Sequence, residues 1–232
     1  MAIQDDSDRA LVSMGVYVFS IDLLVKMLVE DAANDHSTHD FGADIIPQVI
    51  NDQLVSAYYF GGRKGRVTPD YYWRDVGTID SYYEANMDLL EHTPPLNLYQ
   101  PGWPIRSYQT QSPPLRAVRG ASGGEGVFIN SLAAGGVIIA GGEVYRSILF
   151  SGVFIDDLAM VRNVILFEGV HVGANVKLQN CIVDKNAEIP ERESIGFDME
   201  KDASRFLISE NGIVVVPKNY SFGIIIQHNL EP

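Results

Sequence analysis

Hydrophobic and polar positions follow three different rhythms along this chain. Residues 11–91 read as mixed α/β. The run Val16-Tyr17-Val18-Phe19 is β-branched and aromatic and predicts a strand, with Ser20 placed to cap the helix that comes next. Leu23, Leu24, Met27 and Leu28 recur at helical spacing, and Asn34 with Asp35 ends that pattern. Leu54 to Phe60 predicts another strand. A further helix opens at Thr78, with Asp80 in its first turn and Ile79, Tyr83, Met87 and Leu90 on one face.

From residue 127 the pattern becomes repetitive. Arg146-Ser147-Ile148-Leu149, Arg162-Asn163-Val164-Ile165 and Gln179-Asn180-Cys181-Ile182 stack at spacings of 16 and then 17 residues. Between them lie Gly152-Val153-Phe154-Ile155, Gly169-Val170-His171-Val172 and Ala187-Glu188-Ile189. Strands this short cannot bury a face alone, whereas stacked neighbours close a continuous aliphatic column. Glycines and asparagines would turn the corners, where positive φ is needed. The alternative is a sandwich of short strands; the regular period favours a β-helix.

Between the two regions, residues 92–119 hold six of the 11 prolines. Proline fixes φ and lacks a donor, so this segment predicts an extended linker, with Trp103, Ile105 and Tyr108 packing against a neighbour. The resulting division is 1–91 (α/β), 92–126 (linker), 127–222 (β-helix) and 223–232 (tail).

Composition narrows the partners. The formal net charge is −13, and residues 1–45 carry nine Asp/Glu against Arg9 and Lys26. A field of that sign argues against nucleic acid and anionic lipid as partners. The single cysteine, Cys181, forms no intrachain disulfide and lies in an apolar run, so it reads as a buried structural thiol. The amino terminus shows no apolar signal-peptide core, and Leu132 to Gly142 is well short of the ~20 residues that span a bilayer. No membrane segment and a cytoplasmic location are expected.

Chemistry is sparse. Tyr72-Trp73-Arg74-Asp75-Val76-Gly77-Thr78 places a carboxylate just before a helix, where Asp75 either helps hold Mg²⁺ or pairs with Arg74 or caps the helix. His36 and His39 lack a third ligand at useful spacing, so a polar loop capped by Asp40 or Ser37 is expected rather than zinc. Gly61-Gly62 and Gly120, Gly123, Gly124 and Gly126 read as turns rather than a phosphate loop. These residues alone do not name a reaction.

Four ordered motifs do. Ser13-Met14-Gly15-Val16-Tyr17-Val18-Phe19, His39-Asp40-Phe41-Gly42, Tyr72-Trp73-Arg74-Asp75-Val76-Gly77-Thr78 and Trp103-Pro104-Ile105-Arg106 together resemble the ADP-glucose pyrophosphorylase (glucose-1-phosphate adenylyltransferase) family. The resemblance runs from about residue 10 to residue 217. It implies the carboxy-terminal part of a Rossmann-like nucleotidyltransferase domain followed by a left-handed parallel β-helix. It also implies a reaction of ATP with glucose 1-phosphate that gives ADP-glucose and pyrophosphate, with Mg²⁺ as cofactor. On the matching positions Ser13 and Tyr17 line the glucose 1-phosphate pocket, Asp40 and Phe41 contact the sugar, Trp73 walls the pocket, and Asp75 is one of two Mg²⁺ carboxylates.

The family's ATP-gripping glycine loop, its other Mg²⁺ carboxylate and its Glu-Lys-Pro segment have no counterpart here, so the chain alone is expected to be inactive. Sugar-phosphate or nucleotide effectors are implied, with Lys185 standing where the family has an arginine and Lys218 where it has a basic residue. A homo-oligomer, or a complex with the missing amino-terminal half, is expected. Two other classes remain: a non-catalytic regulatory or assembly module, and a hexapeptide-repeat acyltransferase with His171 as its only coil candidate.

Overall fold

The computed structural model describes residues 2–3, 6–10, 12–58, 60, 72–99, 101, 104 and 111–223. The expectations for Gly61-Gly62, Trp103, Ile105, Arg106, Tyr108 and the tail from 224 lie outside them. The chain divides into two compact units, Met1–Arg66 and Val67–Pro232.

In the first unit, β1 (Ala2–Ile3) and β2 (Asp6–Ala10) pair antiparallel. Helix α1 (Ile21–Ala32) starts after Ser20, which occupies the N-cap position without a capping side-chain bond. A single π-type turn, Phe41–Ile45, leads into α2 (Ile46–Asp52), which carries Pro47 in its first turn, where the missing N–H costs nothing. Met27, Ile45 and Val49 form the small core, with Phe19, Leu23 and Phe41 against it.

The strands expected at 16–19 and 54–60 form no ladder among the described residues, which leave out Tyr59. Val16, Val18 and Leu54 are 78%, 98% and 98% exposed, so among the described residues these segments lack the pairing neighbours that turn β-propensity into a sheet. A second apolar stripe of α1, Ile21, Val25, Leu28 and Val29, is likewise exposed.

The second unit is a three-faced parallel β-helix. Its coils run β3 (Arg116–Val118), β4 (Val127–Ile129), β5 (Leu132–Ala133); then β6 (Ile138–Ala140), β7 (Glu143–Tyr145), β8 (Ile148–Leu149). The next are β9 (Phe154–Ile155) with β10 (Met160–Leu166), β11 (His171–Val172) with β12 (Lys177–Val183), and β13 (Glu188–Ile189) with β14 (Ser194–Ile195). Helix α4 (Met199–Ala203) precedes an antiparallel pair, β15 (Leu207–Ile208) and β16 (Val214–Val216), and β16 returns parallel to β12. The first coil thus begins at Arg116, inside the segment expected to be linker, because β3 pairs with β6 in the same register as later coils. Val144, Leu149, Ile155, Val161, Leu166, Leu178 and Val183 fill the interior and are essentially inaccessible.

Three columns of left-handed residues turn the corners. Asn130, Arg146, Asn163 and Asn180 have φ of 45–54°; Gly141, Leu158, Asn175 and Arg192 form a second column, and Gly136, Gly152, Gly169 and Asn186 a third. Asparagine tolerates this conformation through local hydrogen bonding. The stack predicted around Arg146 is off by one residue. Arg146 aligns with Asn163, and Ile148 with Ile165, so the true repeat there is 17. An arginine in an asparagine's corner position concealed the register. Gly196 follows β14 at φ 87°, level with Gln179 and one position before the Asn180 corner, where a Cβ would lie 1.7 Å from the Gln179 carbonyl oxygen.

Helix α3 (Ile79–Met87) opens with a reciprocal Thr78–Ser81 capping box. The predicted face is correct, but its partner is the β-helix. Tyr83 and Met87 pack on Ile165, Ile182 and Ile213, with Ile79, Tyr82, Leu90, Phe150 and Phe167 around them. The outer column of isoleucines on one β-helix face is apolar because this helix covers it. Tyr83 Oη donates to the Asn163 carbonyl at 2.8 Å, and burial pushes the phenol up to about 12, so it remains a donor. Asp80 accepts from the Ser209 hydroxyl and the Asn211 amide.

Truncating Met87 to Ala should cost about 2–4 kcal/mol by leaving a cavity. Tyr83→Phe should cost about 1 kcal/mol through one lost hydrogen bond. Urea unfolding of the chain measures both, and equal losses would contradict this packing.

Candidate functional site

Four of the predicted residues meet in the first unit. Ser13, Tyr17, Asp40 and Phe41, with Gly15, Phe19, Leu24 and Gly42, line an open concavity of about 610 Å³. Gly15 takes φ 70°, and its amide donates to Ser13 Oγ at 3.2 Å, which folds the segment so that Ser13 Oγ and Tyr17 Oη lie 3.1 Å apart. Tyr17 stacks on Phe41, with ring centroids 6.0 Å apart and planes 20° from parallel, and Phe19 closes the cluster at 6.1 Å from Phe41. Aromatic faces, two hydroxyls and a carboxylate form an amphipathic wall of the kind that binds sugars, with C–H faces on rings and hydroxyls on polar groups. Phe19, the last residue of the first motif, lines the concavity too, although the resemblance implies no role for it; the signal is that residues two apart in an extended segment share a side.

Asp40 is the N-cap of the turn at 41–45, its Oδ1 accepting the Ala43 amide at 2.7 Å, as expected of a capped polar loop. Asp44 Oδ2 accepts from the Thr38 hydroxyl and from the Thr38 and Asp40 amides, both amides at 3.2 Å. The Thr38 hydroxyl, then the Asp40 amide, hold the Asp44 carboxyl below the usual carboxylate range. The Ser37 hydroxyl, followed by the His39 imidazole, does the same to Asp31. His36 takes no part beyond its amide, which donates to Asn34 Oδ1. No cluster of three or more metal-ligating side chains occurs among the described residues.

Trp73 and Asp75 belong to the second unit. Trp73 is exposed, and Asp75 Oδ1 accepts the Gly77 amide at 3.1 Å. Arg74 does not pair with Asp75; it bridges Glu84, at 2.6 Å, and Asp88. Thr78, not Asp75, caps α3. Among the described residues the exposed Asp75 carboxylate is tied to one amide only, which fits a Mg²⁺ ion that keeps waters and takes its other ligands from phosphates.

Lys185 and Lys218 lie two residues beyond the paired Val183 and Val216, so the two exposed ammonium groups occupy equivalent places on successive coils. His171 sits edge-on to Phe154 in the middle of a ladder, with centroids 4.9 Å apart. Cys181 is fully buried, and burial pushes its thiol up, leaving it inert. Among the described residues, no helix is long and apolar enough to cross a membrane.

The family matches describe a nucleotidyltransferase segment followed by a hexapeptide-type β-helix. Residues 4–92 match the Nucleotidyl transferase family, and residues 113–216 match the family described as GlmU-like, C-terminal hexapeptide. Over nearly its whole length the chain is similar to glucose-1-phosphate adenylyltransferases. It is 53% identical to glucose-1-phosphate adenylyltransferase 2 of Vibrio cholerae over 220 residues, covering 95% of this chain and 54% of that protein. It is 55% identical to the protein of the same name from Vibrio parahaemolyticus over the same shares. Identity to the glucose-1-phosphate adenylyltransferase of Hydrogenovibrio crunogenus is 45% over 216 residues, or 93% of this chain and 50% of that one. The chain thus spans about half the length of the curated relatives it matches.

Asp31 and Asp44 bind protons more weakly folded than unfolded. Their contribution is full above the unfolded value of about 4 and is lost as pH falls through the lower folded values. Acidification should therefore release the amides of Thr38 and Asp40 to hydrogen exchange while the β-helix ladder stays protected. NMR-detected exchange measures this, and simultaneous loss in both units would contradict it.

Proposed function

We propose that this chain supplies the sugar-phosphate side of a glucose-1-phosphate adenylyltransferase, which forms ADP-glucose and pyrophosphate from ATP and glucose 1-phosphate. The observation that carries the proposal is the concavity in which Ser13, Tyr17, Asp40 and Phe41 converge, in a chain about half identical to such enzymes. In this reading Tyr17 and Phe41 stack on the sugar, Asp40 accepts hydrogen bonds from its hydroxyls, and Ser13 orients the ring. Asp75 contributes one carboxylate to Mg²⁺, and Trp73 lies two residues before it in the same motif. When bound, Mg²⁺ offsets the negative charge shared by the phosphates.

The ATP loop, a second carboxylate and a phosphate-binding lysine come from the remaining half of such an enzyme, so this chain does not turn over by itself. The segments at 16–19 and 54–58, which form no ladder among the described residues, and the exposed apolar stripe of α1 support that reading, since exposed edges and apolar faces call for a cover. Lys185 and Lys218, two like charges held in register, fit an anionic sugar-phosphate or nucleotide effector that neutralises both. The assembled form is a homo-oligomer or a complex with the other half, in the reducing cytoplasm.

The test is pyrophosphate release from ATP, glucose 1-phosphate and Mg²⁺. The chain alone should give none. Mixing it with the remaining portion of the Vibrio cholerae relative should restore turnover, and Asp75→Asn should then lower kcat by about 100-fold or more. Turnover by the chain alone, or an unchanged rate in Asp75→Asn, contradicts the proposal.

A further inference from the structure

We infer that Asp31 and His39 form a positioning pair that sets the 37–43 loop and so presents Asp40 and Phe41 to the concavity. The pocket role of those two residues rests on the function proposed above; the pair itself rests on geometry.

Asp31 stands in the last turn of α1, a poor place for a carboxylate. The helix dipole is negative there, and the side chain is only 6% exposed. Both effects oppose the charged form, so its presence calls for compensation. Both of its oxygens are engaged: Oδ1 accepts the Ser37 hydroxyl at 2.6 Å, and Oδ2 meets His39 Nδ1 at 2.7 Å. Ser37 Oγ in turn accepts the His39 amide at 3.0 Å, closing a ring of three side chains on one helix end.

His39 needs that ring. Its φ is 61°, a left-handed conformation that a non-glycine residue adopts only when its surroundings hold it. Its turn sets the path of the next two residues. Asp40 takes an extended φ of −88° and caps the 41–45 turn, and Phe41 then brings its ring over Tyr17. Asp40 spends Oδ1 on the cap, and its Oδ2 makes no hydrogen bond among the described residues. The clamp therefore sits one residue upstream of two predicted sugar contacts. It also anchors them to α1, which itself contributes Leu24 to the concavity. His39 Nδ1 is committed to this bond, so the imidazole serves as a strut between the loop and the end of α1.

Three variants of the full chain test this: Asp31→Ala, His39→Ala and His39→Asn. Asparagine accepts the left-handed conformation and can still donate to the carboxylate. In the ligand-free chain, both alanine variants should raise exchange of the Asp40 and Ala43 amides about tenfold or more, while the Met27 turn of α1 and the β-helix keep wild-type protection. His39→Asn should restore most of it. In the enzyme completed with the remaining half, His39→Ala should raise KM for glucose 1-phosphate about tenfold, with a much smaller change in kcat and in KM for ATP.

Unchanged exchange at Ala43 overturns the inference. So does equal loss throughout α1, which would make the pair a generic stabiliser of the unit. If the loop loosens as expected but wild type shows no glucose 1-phosphate dependence, the clamp stands and the sugar-pocket reading falls.

Discussion

A coil of three short strands cannot bury its own inner face, and everything in the larger unit depends on how the next coil supplies the missing cover. Stacking works only if the chain turns at the same three places in every coil. The left-handed columns through Asn130, Arg146, Asn163 and Asn180, and through Gly141, Leu158, Asn175 and Arg192, are that constraint in backbone form. With the corners held, interior positions such as Val144, Val161 and Leu178 fall in line and exclude water. The outward isoleucines at 148, 165 and 182 line up for the same reason. Of that second apolar column, α3 covers Ile165 and Ile182, together with Ile213. A helix continuous in sequence with nucleotidyltransferase motifs is thereby fastened to the β-helix.

Much of this is legible in the sequence because period and chemistry agree. The ladder of Phe154, His171 and Glu188 emerges directly from the repeated phrases, and the stack of Arg162 on Gln179 is correct. The Arg146 corner is misread because arginine carries none of asparagine's turn signal. Leu158 and Arg192 fill equally unmarked corner positions. The first coil is hidden by glycines and prolines that resemble linker composition, although Arg116 to Val118 pairs as later coils do. The strands at 16–19 and 54–60 are the opposite case: the local preference is real, but a strand exists only against a partner, and β-propensity carries no information about that.

The candidate site is legible unevenly. Ser13, Tyr17, Asp40 and Phe41 converge as their motifs imply, because a tight Gly15 turn and the Asp40 cap bring the two segments together. Asp31 carries no visible signal, since a single acid at a helix end resembles surface charge until its partners are known. His39 invites a metal reading by its spacing from His36, whereas its backbone conformation and its bond to Asp31 explain it better. Arg74 is adjacent to Asp75 in sequence yet bridges two acids of the helical segment, which leaves Asp75 lightly held. The same chemistry is thus partitioned: residues fixed by local turns meet within one unit, while Trp73 and Asp75 belong to the other.

A sugar phosphate bound in the concavity at residues 13–42 would perturb the residues that line it. The most direct measurement is a titration of the chain with glucose 1-phosphate, monitored by NMR of its amides and aromatic rings. Saturable shifts are predicted at Tyr17, Asp40 and Phe41, with a dissociation constant of about 1 mM or tighter, equivalent to roughly −4 kcal/mol. Those shifts should be absent with inorganic phosphate alone. Shifts that never saturate, or that inorganic phosphate reproduces, would contradict the claim.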